Sequence, residues 1–161
     1  MIPKLIYAIL LTLMPITELR IGLPIAISYA IENNIPIFLI FLLIVSINIL
    51  LIFFIFFFLD SIHKYLMNIN FYKKIFQKFL RKFQKKVDKF EKKHKEAGFL
   101  ALVLFVATPL PGTGAWSGCL LAWILELERK KSIIAISIGV IIAGIIILLG
   151  SLGFIELFNM F

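Results

Sequence analysis

The chain has 161 residues, of which 61% are hydrophobic and 16% are charged, and its mean hydropathy is +1.04. This composition excludes a soluble globular domain and predicts a single membrane-embedded domain. The lone cysteine, Cys119, excludes an intrachain disulfide, and the two histidines lie in a basic segment without metal-ligand spacing. No nucleophile is paired with a base, so we expect neither an enzyme nor a bound cofactor.

The first polar interruption in the chain is the segment Pro15–Pro24, which reads Pro-Ile-Thr-Glu-Leu-Arg-Ile-Gly-Leu-Pro. It separates two apolar arms, Leu5–Met14 and Ile21–Ile31. As a helix, each arm would be about 15 Å long, which is about half of a hydrocarbon core of about 30 Å. Residues 1–35 therefore form either one kinked spanning helix or a re-entrant hairpin that leaves the membrane on the side where it entered.

Glu18 and Arg20 decide between these two geometries. In a continuous helix, residues two apart point to opposite faces, so one of the two charges would meet lipid. Ionisable groups at membrane depth usually face the protein interior or a wet cavity, and they pair where they can. A break flanked by Pro15, Gly22 and Pro24 would let both side chains turn inward. We therefore predict a re-entrant hairpin, with Glu18 and Arg20 within salt-bridge distance of each other.

The next segment, residues 36–59, opens with Pro36, which suits the first turn of a helix. Ile37–Leu59 is an almost unbroken apolar run and is long enough to span the membrane. Its only polar members are Ser46 and Asn48. An asparagine in a membrane helix usually hydrogen-bonds a neighbouring helix, and the alternative interpretation is that Asn48 lines a substrate path.

Residues 60–96 differ completely in composition, since they hold most of the 17 lysines and arginines. Apolar side chains recur among the basic ones at spacings of three and four, namely Phe76, Phe79, Phe83, Val87 and Phe90. This period predicts a basic amphipathic helix in the membrane interface, where anionic membrane lipids are its partners. We expect no nucleic acid partner, although basic segments with aromatic residues can bind one, because membrane segments flank this helix on both sides.

A second pair of short apolar arms occupies residues 97–125. These arms, Phe99–Ala107 and Ala115–Leu125, flank the connection Thr108–Gly114, which reads Thr-Pro-Leu-Pro-Gly-Thr-Gly. Two prolines and two glycines in so short a stretch cannot continue a regular helix. The sequence therefore predicts a second helical hairpin.

The distribution of charge predicts the topology. Residues 126–131 are charged and aqueous, and residues 132–155 form the final span. Because positive charge stays cytoplasmic, residues 60–96 and 126–131 both lie on the cytoplasmic side, and residues 97–125 between them are re-entrant. We therefore predict an all-α, multi-pass protein of the plasma membrane. It is an inverted repeat of re-entrant hairpin plus transmembrane helix, the plan of many secondary transporters.

The segment Pro15–Pro24 and the segment Pro109–Trp116, which reads Pro-Leu-Pro-Gly-Thr-Gly-Ala-Trp, together resemble the small multidrug export family of integral membrane proteins. This family looks like a distant branch of the DedA superfamily, whose members share re-entrant hairpins. The resemblance covers nearly the whole chain and implies a membrane translocase. Some relatives are candidate translocases of polyprenyl-phosphate lipid carriers, and others are linked to drug resistance or proton-dependent physiology. DedA proteins typically have an arginine on the second hairpin, whereas the connection here is uncharged.

The residues themselves favour an anionic substrate. Arg20 offers a planar, permanently charged fork for phosphate or carboxylate, and the amides at the start of the return arm would add an anion cradle. Glu18 would hold Arg20 in the empty state or accept a proton. The candidate substrate-binding residues are Glu18, Arg20, Asn48, Thr108, Pro109, Pro111, Gly112, Thr113 and Gly114.

Three functions remain open at this point. The first is translocation of an anionic lipid carrier such as a polyprenyl phosphate. The second is export of small solutes or drugs coupled to protons or sodium, with Glu18 as the coupling residue. The third is a non-transporting membrane scaffold, whose basic helix recruits lipid or partners. With two full spans, a homodimer would help to enclose the polar tips.

Overall fold

The computed structural model describes residues 4–15, 17–66, 95–110 and 112–159, and in this part of the chain all regular structure is α-helical. Six helices lie in these residues: α1 (Lys4–Leu13), α2 (Glu18–Glu32), α3 (Ile37–Leu66), α4 (Lys95–Ala107), α5 (Ala115–Ile124) and α6 (Arg129–Asn159). The predicted all-α class is confirmed for them. The predicted basic helix falls almost entirely on residues 67–94, which lie outside the described residues.

Two of the helices are long and apolar enough to cross a membrane. They contain the segments Ile37–Ser61, with a mean hydropathy of 3.2, and Arg129–Phe154, with a mean hydropathy of 3.0. Only 33% of the most apolar window of each is buried inside the protein, so most of their apolar surface faces outward, as in a membrane span. The helices α1 and α5 and the Gly98–Ala107 part of α4 are apolar but too short to cross alone.

Helices α1 and α2 pack side by side in opposite directions. At one end, Lys4 of α1 forms a salt bridge with Glu32 of α2 at 2.5 Å. Further along, Gly22 of α2 lies so close to α1 that a Cβ would collide with the Thr12 hydroxyl and lie 2.8 Å from the carbonyl oxygen of Ala8. The chain therefore reverses between the two helices, which excludes one continuous helix.

Gly22 and Pro24, which were predicted to flank the break, lie beyond it inside α2. Gly22 serves the close packing of α1 on α2 rather than a turn. A proline inside a helix removes one backbone hydrogen bond, and membrane helices tolerate this loss where neighbouring groups satisfy the freed carbonyl. The break is confined to the residues between Leu13 and Glu18.

The buried core lies where α2 and α3 meet α4, α5 and α6. Small residues allow the close approach of these helices, as is common in membrane proteins. A Cβ at Gly118 of α5 or at Gly139 of α6 would lie 2.6 or 2.7 Å from side-chain atoms of Val106 in α4. The largest fully buried apolar side chains are Leu23, Ile27, Ile44, Ile52, Ile55, Ile136 and Val106.

An ion pair joins the end of the α3 span to the start of α6. Arg129 donates from Nη2 to both carboxylate oxygens of Asp60, at 2.9 and 2.8 Å, and Trp123 Nε1 donates to the same carboxylate at 3.1 Å. The Arg129 guanidinium also lies 4.5 Å from the ring centre of Phe56. These contacts hold residue 129 in the first turn of α6, so the prediction that the helix begins only at residue 132 is wrong.

Candidate functional site

The start of α2 meets the connection between α4 and α5. Two hydrogen bonds to Glu18 and two from Arg20 join these segments, which are far apart in the sequence. We call this junction the tip contact and define it by Glu18, Arg20, Thr108, Thr113 and Gly114–Trp116.

Glu18 caps α5 from a different helix. It is buried, with 3% of the residue exposed. Its Oε2 accepts a hydrogen bond from the Ala115 amide and its Oε1 accepts one from the Trp116 amide, each at 3.1 Å. Gly114, the N-cap residue of α5, has no side chain that could do this. Because the N-terminal amides of a helix attract negative charge, they stabilise the Glu18 carboxylate in this position.

Two backbone features accompany this arrangement. A Cβ at Gly114 would overlap the carboxylate of Glu18, so only glycine fits there. Glu18 itself has a φ of 43°, in the left-handed region, which costs about 1–2 kcal/mol for a residue with a side chain. Backbone strain of this kind persists only where the surrounding structure fixes it, and it clusters at functional sites.

Arg20 binds the connection between α4 and α5 through neutral oxygens. Its Nη2 donates to the Thr113 hydroxyl at 2.7 Å and to the Thr108 carbonyl oxygen at 3.4 Å. The predicted salt bridge between Glu18 and Arg20 is wrong, since Arg20 pairs with no acidic residue in the described part of the chain. The reason is that the amides of α5 hold the carboxylate.

A narrow cavity adjoins the tip contact. Glu18, Arg20 and Asn48 line it together with apolar side chains, and its volume is about 10 Å³, close to the about 10–15 Å³ that one water molecule needs. Asn48 is 1% exposed, and within the described residues neither its Oδ1 nor its Nδ2 has a hydrogen-bond partner. The prediction that Asn48 bonds a neighbouring helix is therefore wrong, and Asn48 lies in the cavity wall instead.

The remaining predicted site residues lie on the connection itself. Thr108, Pro109 and Gly112 are exposed, whereas Gly114 is buried against Glu18. Gly112 has a φ of 84°, a conformation that glycine adopts without strain. Pro111 lies outside the described residues.

The amides of Ala115 and Trp116 were missed as partners of Glu18 by sequence reasoning. A backbone amide leaves no signature in the sequence, and the only local signal is Gly114 directly before an apolar helix. The indole of Trp116 also contributes, because its Nε1 donates to the carbonyl oxygen of Leu13 at 3.1 Å. The end of α1, the start of α2 and the start of α5 therefore meet at one place.

Two apolar helices long enough to span a membrane and a buried polar contact between helix ends define a helical membrane protein. Residues 18–146 match a protein family described as "Putative small multi-drug export protein". The match begins at Glu18 and contains the whole tip contact, and the chain therefore belongs to this family. The family name describes a membrane exporter. No curated protein and no solved structure matches the chain.

Proposed function

We propose that the chain translocates an anionic amphiphile, such as a polyprenyl phosphate, across the plasma membrane, and that the anionic headgroup binds at the tip contact. The supporting observation is the charge of Arg20, whose guanidinium contacts the oxygens of Thr108 and Thr113 and forms no salt bridge in the described part of the chain. A charge at the centre of a membrane costs about 2.5–3.5 kcal/mol on insertion scales. A phosphate beside Arg20 would reduce this cost, whereas a cationic drug would increase it.

The exposed side of the tip contact gives the headgroup a route to Arg20. Thr108, Pro109 and Gly112 are exposed on the connection, next to the Thr113 hydroxyl that already accepts a hydrogen bond from the guanidinium. A phosphate oxygen has the same acceptor chemistry as that hydroxyl oxygen and carries a charge in addition. It would therefore compete well for the Arg20 fork, which matches phosphate geometry.

The position of Glu18 also supports an anionic substrate, because it shows that the start of α5 binds a negatively charged group. The amides of Ala115 and Trp116 bind the carboxylate of Glu18. In the proposed cycle the substrate headgroup displaces Glu18 from these amides and bridges them to Arg20. Glu18 thus holds the α5 N-terminus while no substrate is bound. This exchange differs from the sequence-based hypothesis, in which Glu18 leaves Arg20.

The proposed topology is an inverted repeat of a re-entrant helical hairpin plus a span, with residues 60–96 and 126–131 cytoplasmic, as in the DedA superfamily. Two contacts support it. The salt bridge between Lys4 and Glu32 brings the start of α1 and the end of α2 to one side. The ion pair of Asp60 with Arg129 brings the end of the α3 span and the start of α6 together, which supports a re-entrant path for residues 97–125 between them.

Proton-coupled export of small solutes is a second candidate function. The observation that favours it is the burial of Glu18 beside a cavity that Arg20 and Asn48 also line, because buried carboxyl groups in membrane proteins commonly belong to proton pathways. In this mechanism Arg20 tunes Glu18 and binds no substrate. The two candidates therefore assign the essential role to different residues.

The test is flipping of a short-chain polyprenyl phosphate in proteoliposomes that contain the purified protein. Wild type should accelerate flipping, and Arg20→Ala should abolish the protein-dependent rate. Arg20→Lys keeps the charge but loses the bidentate fork, so it should retain only part of the rate. Lys130→Ala removes a charge from an exposed position on α6 and serves as the matched control with an unchanged rate.

Either of two results would reject the lipid proposal. One is an inserted, folded wild-type protein that does not flip the lipid. The other is an Arg20→Ala variant that flips as fast as wild type. Export of a small solute that responds to Glu18→Gln and to an imposed pH gradient, but not to Arg20→Ala, would instead support the proton-coupled candidate.

A further inference from the structure

Asn48 is the buried polar residue beside the tip contact to which the transport proposal gives no role. It lies in the middle of the α3 span and is 1% exposed. Both polar atoms of its side chain lack a partner among the described residues. Leaving buried donors and acceptors unpaired is costly, and an apolar residue of similar size would avoid that cost. An amide at this position therefore points to a partner that is present in another state of the protein.

Glu18 is the side chain best placed to be that partner. Its carboxyl group and the Asn48 amide line the same cavity. In the state described here the carboxylate is bound to the Ala115 and Trp116 amides, and a substrate anion that takes these amides would displace it. The displaced carboxyl group of Glu18 would then lie beside this cavity.

The chemistry of the cavity selects the neutral form of Glu18. Apart from Glu18, Arg20 and Asn48, its lining is apolar or glycine, and it includes Leu19, Val106, Val140, Ala143 and Ile147. With Arg20 bound to the substrate anion, a carboxylate in such surroundings without its amide partners would be strongly disfavoured, and a carboxylic acid far less. The acid matches the amide of Asn48, because its O–H can donate to Oδ1 while its carbonyl oxygen accepts from Nδ2.

We propose that Asn48 is a second docking position for Glu18. When an anion occupies the N-terminus of α5, Glu18 takes up one proton from solvent, leaves the amides and pairs with the Asn48 side chain. When the anion departs, Glu18 releases the proton and returns to α5. This inference rests on the proposed function for its role in transport, and it makes Asn48 a positioning residue that couples anion binding to proton uptake.

The groups around Glu18 are consistent with two positions of its carboxyl group, one at the α5 amides and one at Asn48. The titratable and charged groups that face it in the described residues are Arg20 on its own helix and Cys119 on α5. Helices α3, α4 and α6 contribute only Asn48 and apolar side chains to the cavity. The positive φ of Glu18 shows that its backbone conformation is strained, and strain of this kind is common at functional sites.

The test is an infrared pH titration of the full-length protein in lipid nanodiscs without substrate. Protonation of Glu18 produces a carboxylic acid C=O band, which the Glu18→Gln variant identifies by lacking it. In Asn48→Leu this band should move to higher wavenumber, because its carbonyl loses a hydrogen bond.

The midpoint of the titration should fall by about one pH unit, a tenfold loss of proton affinity, because Asn48 stabilises the protonated form. Ser46→Leu, on the exposed side of α3, is the matched control and should change neither value.

A second measurement keeps the inference testable if Asn48→Leu does not fold. In wild-type protein with isotope-labelled asparagine, an asparagine C=O band should change over the same pH range as the Glu18 band, and this change should be absent in Glu18→Gln. The inference is overturned if the Glu18 band and midpoint are the same in wild type and Asn48→Leu. It is also overturned if loss of Asn48 removes only a water O–H band, since Asn48 would then bind a water molecule. Neither measurement uses a substrate. A protein that fails to flip the lipid can therefore still confirm or overturn the pairing of Glu18 with Asn48.

Discussion

At the scale of single residues, Gly114 sets the distance between α5 and Glu18. A Cβ here would overlap the carboxylate, so Gly114→Ala should push Glu18 away from the Ala115 and Trp116 amides. The loss of two charge-assisted hydrogen bonds should lower the free energy of unfolding by about 1–3 kcal/mol. Thermal unfolding in detergent measures this loss as a lower Tm.

Gly150→Ala provides the control for this prediction. A Cβ at Gly150 in α6 would meet no atom within 4 Å, and alanine is the better helix former by about 1 kcal/mol. Its Tm should therefore equal or exceed that of wild type. If Gly114→Ala has the wild-type Tm as well, Glu18 does not bind the amides of α5 as described.

For Asn48 the expected change in Tm is opposite to that for Gly114. Replacing an unpartnered buried amide by an apolar side chain of similar volume removes two unsatisfied polar atoms, which is neutral or stabilising. Asn48→Leu should therefore unfold at the wild-type Tm or above it, although it should impair transport. A substantially lower Tm in the same detergent would mean that Asn48 has a structural partner in the resting state.

At the scale of helices, the packing of α1 on α2 depends on Gly22. Its Cβ would collide with the Thr12 hydroxyl and crowd the Ala8 carbonyl oxygen, and overpacking of this kind typically costs about 1–3 kcal/mol. Gly22→Ala should therefore lower the Tm. The double variant Gly22→Ala with Thr12→Ala should regain part of the loss, because the colliding hydroxyl is gone. If it regains nothing, contact with Thr12 is not what makes Gly22 necessary.

The sequence predicts the helices better than it predicts the tip contact. Ala107 and Ala115 bound the second break as expected, because two prolines and two glycines exclude a helix between them. Gly22 and Pro24 only flank the first break, because glycine and proline also occur inside helices, where Gly22 serves close packing. Glu18 was expected to pair with Arg20, because a sequence shows the chemistry of the side chains. It does not show which backbone amides the fold leaves free. The actual partners of Glu18 are backbone amides, which only the folded chain brings within reach.

At the scale of the whole molecule, the fold joins distant parts of the chain at two levels, one at an end of the two spans and one near their middle. Asp60 and Arg129 meet where α3 ends and α6 begins, while the tip contact joins α2 to α5. Both partners of the ion pair are about half exposed, and such pairs contribute only about 0–1 kcal/mol. The ion pair therefore fixes the arrangement of the two spans more than it stabilises them, and the buried packing around Val106 has to supply most of the stability.

The proposed topology gives the last prediction, which uses cysteine labelling in intact cells. In a Cys119→Ala background, single cysteines replace Lys4, Asn33 or Glu128, all of which are exposed. If both short helix pairs are re-entrant, a membrane-impermeant maleimide should label positions 4 and 33 from outside. It should reach position 128 only after the cells are permeabilised.

Labelling of position 128 in intact cells would mean that α4 and α5 together cross the membrane, and a protected position 4 would mean the same for α1 and α2. Either result would remove the inverted repeat of re-entrant hairpin plus span.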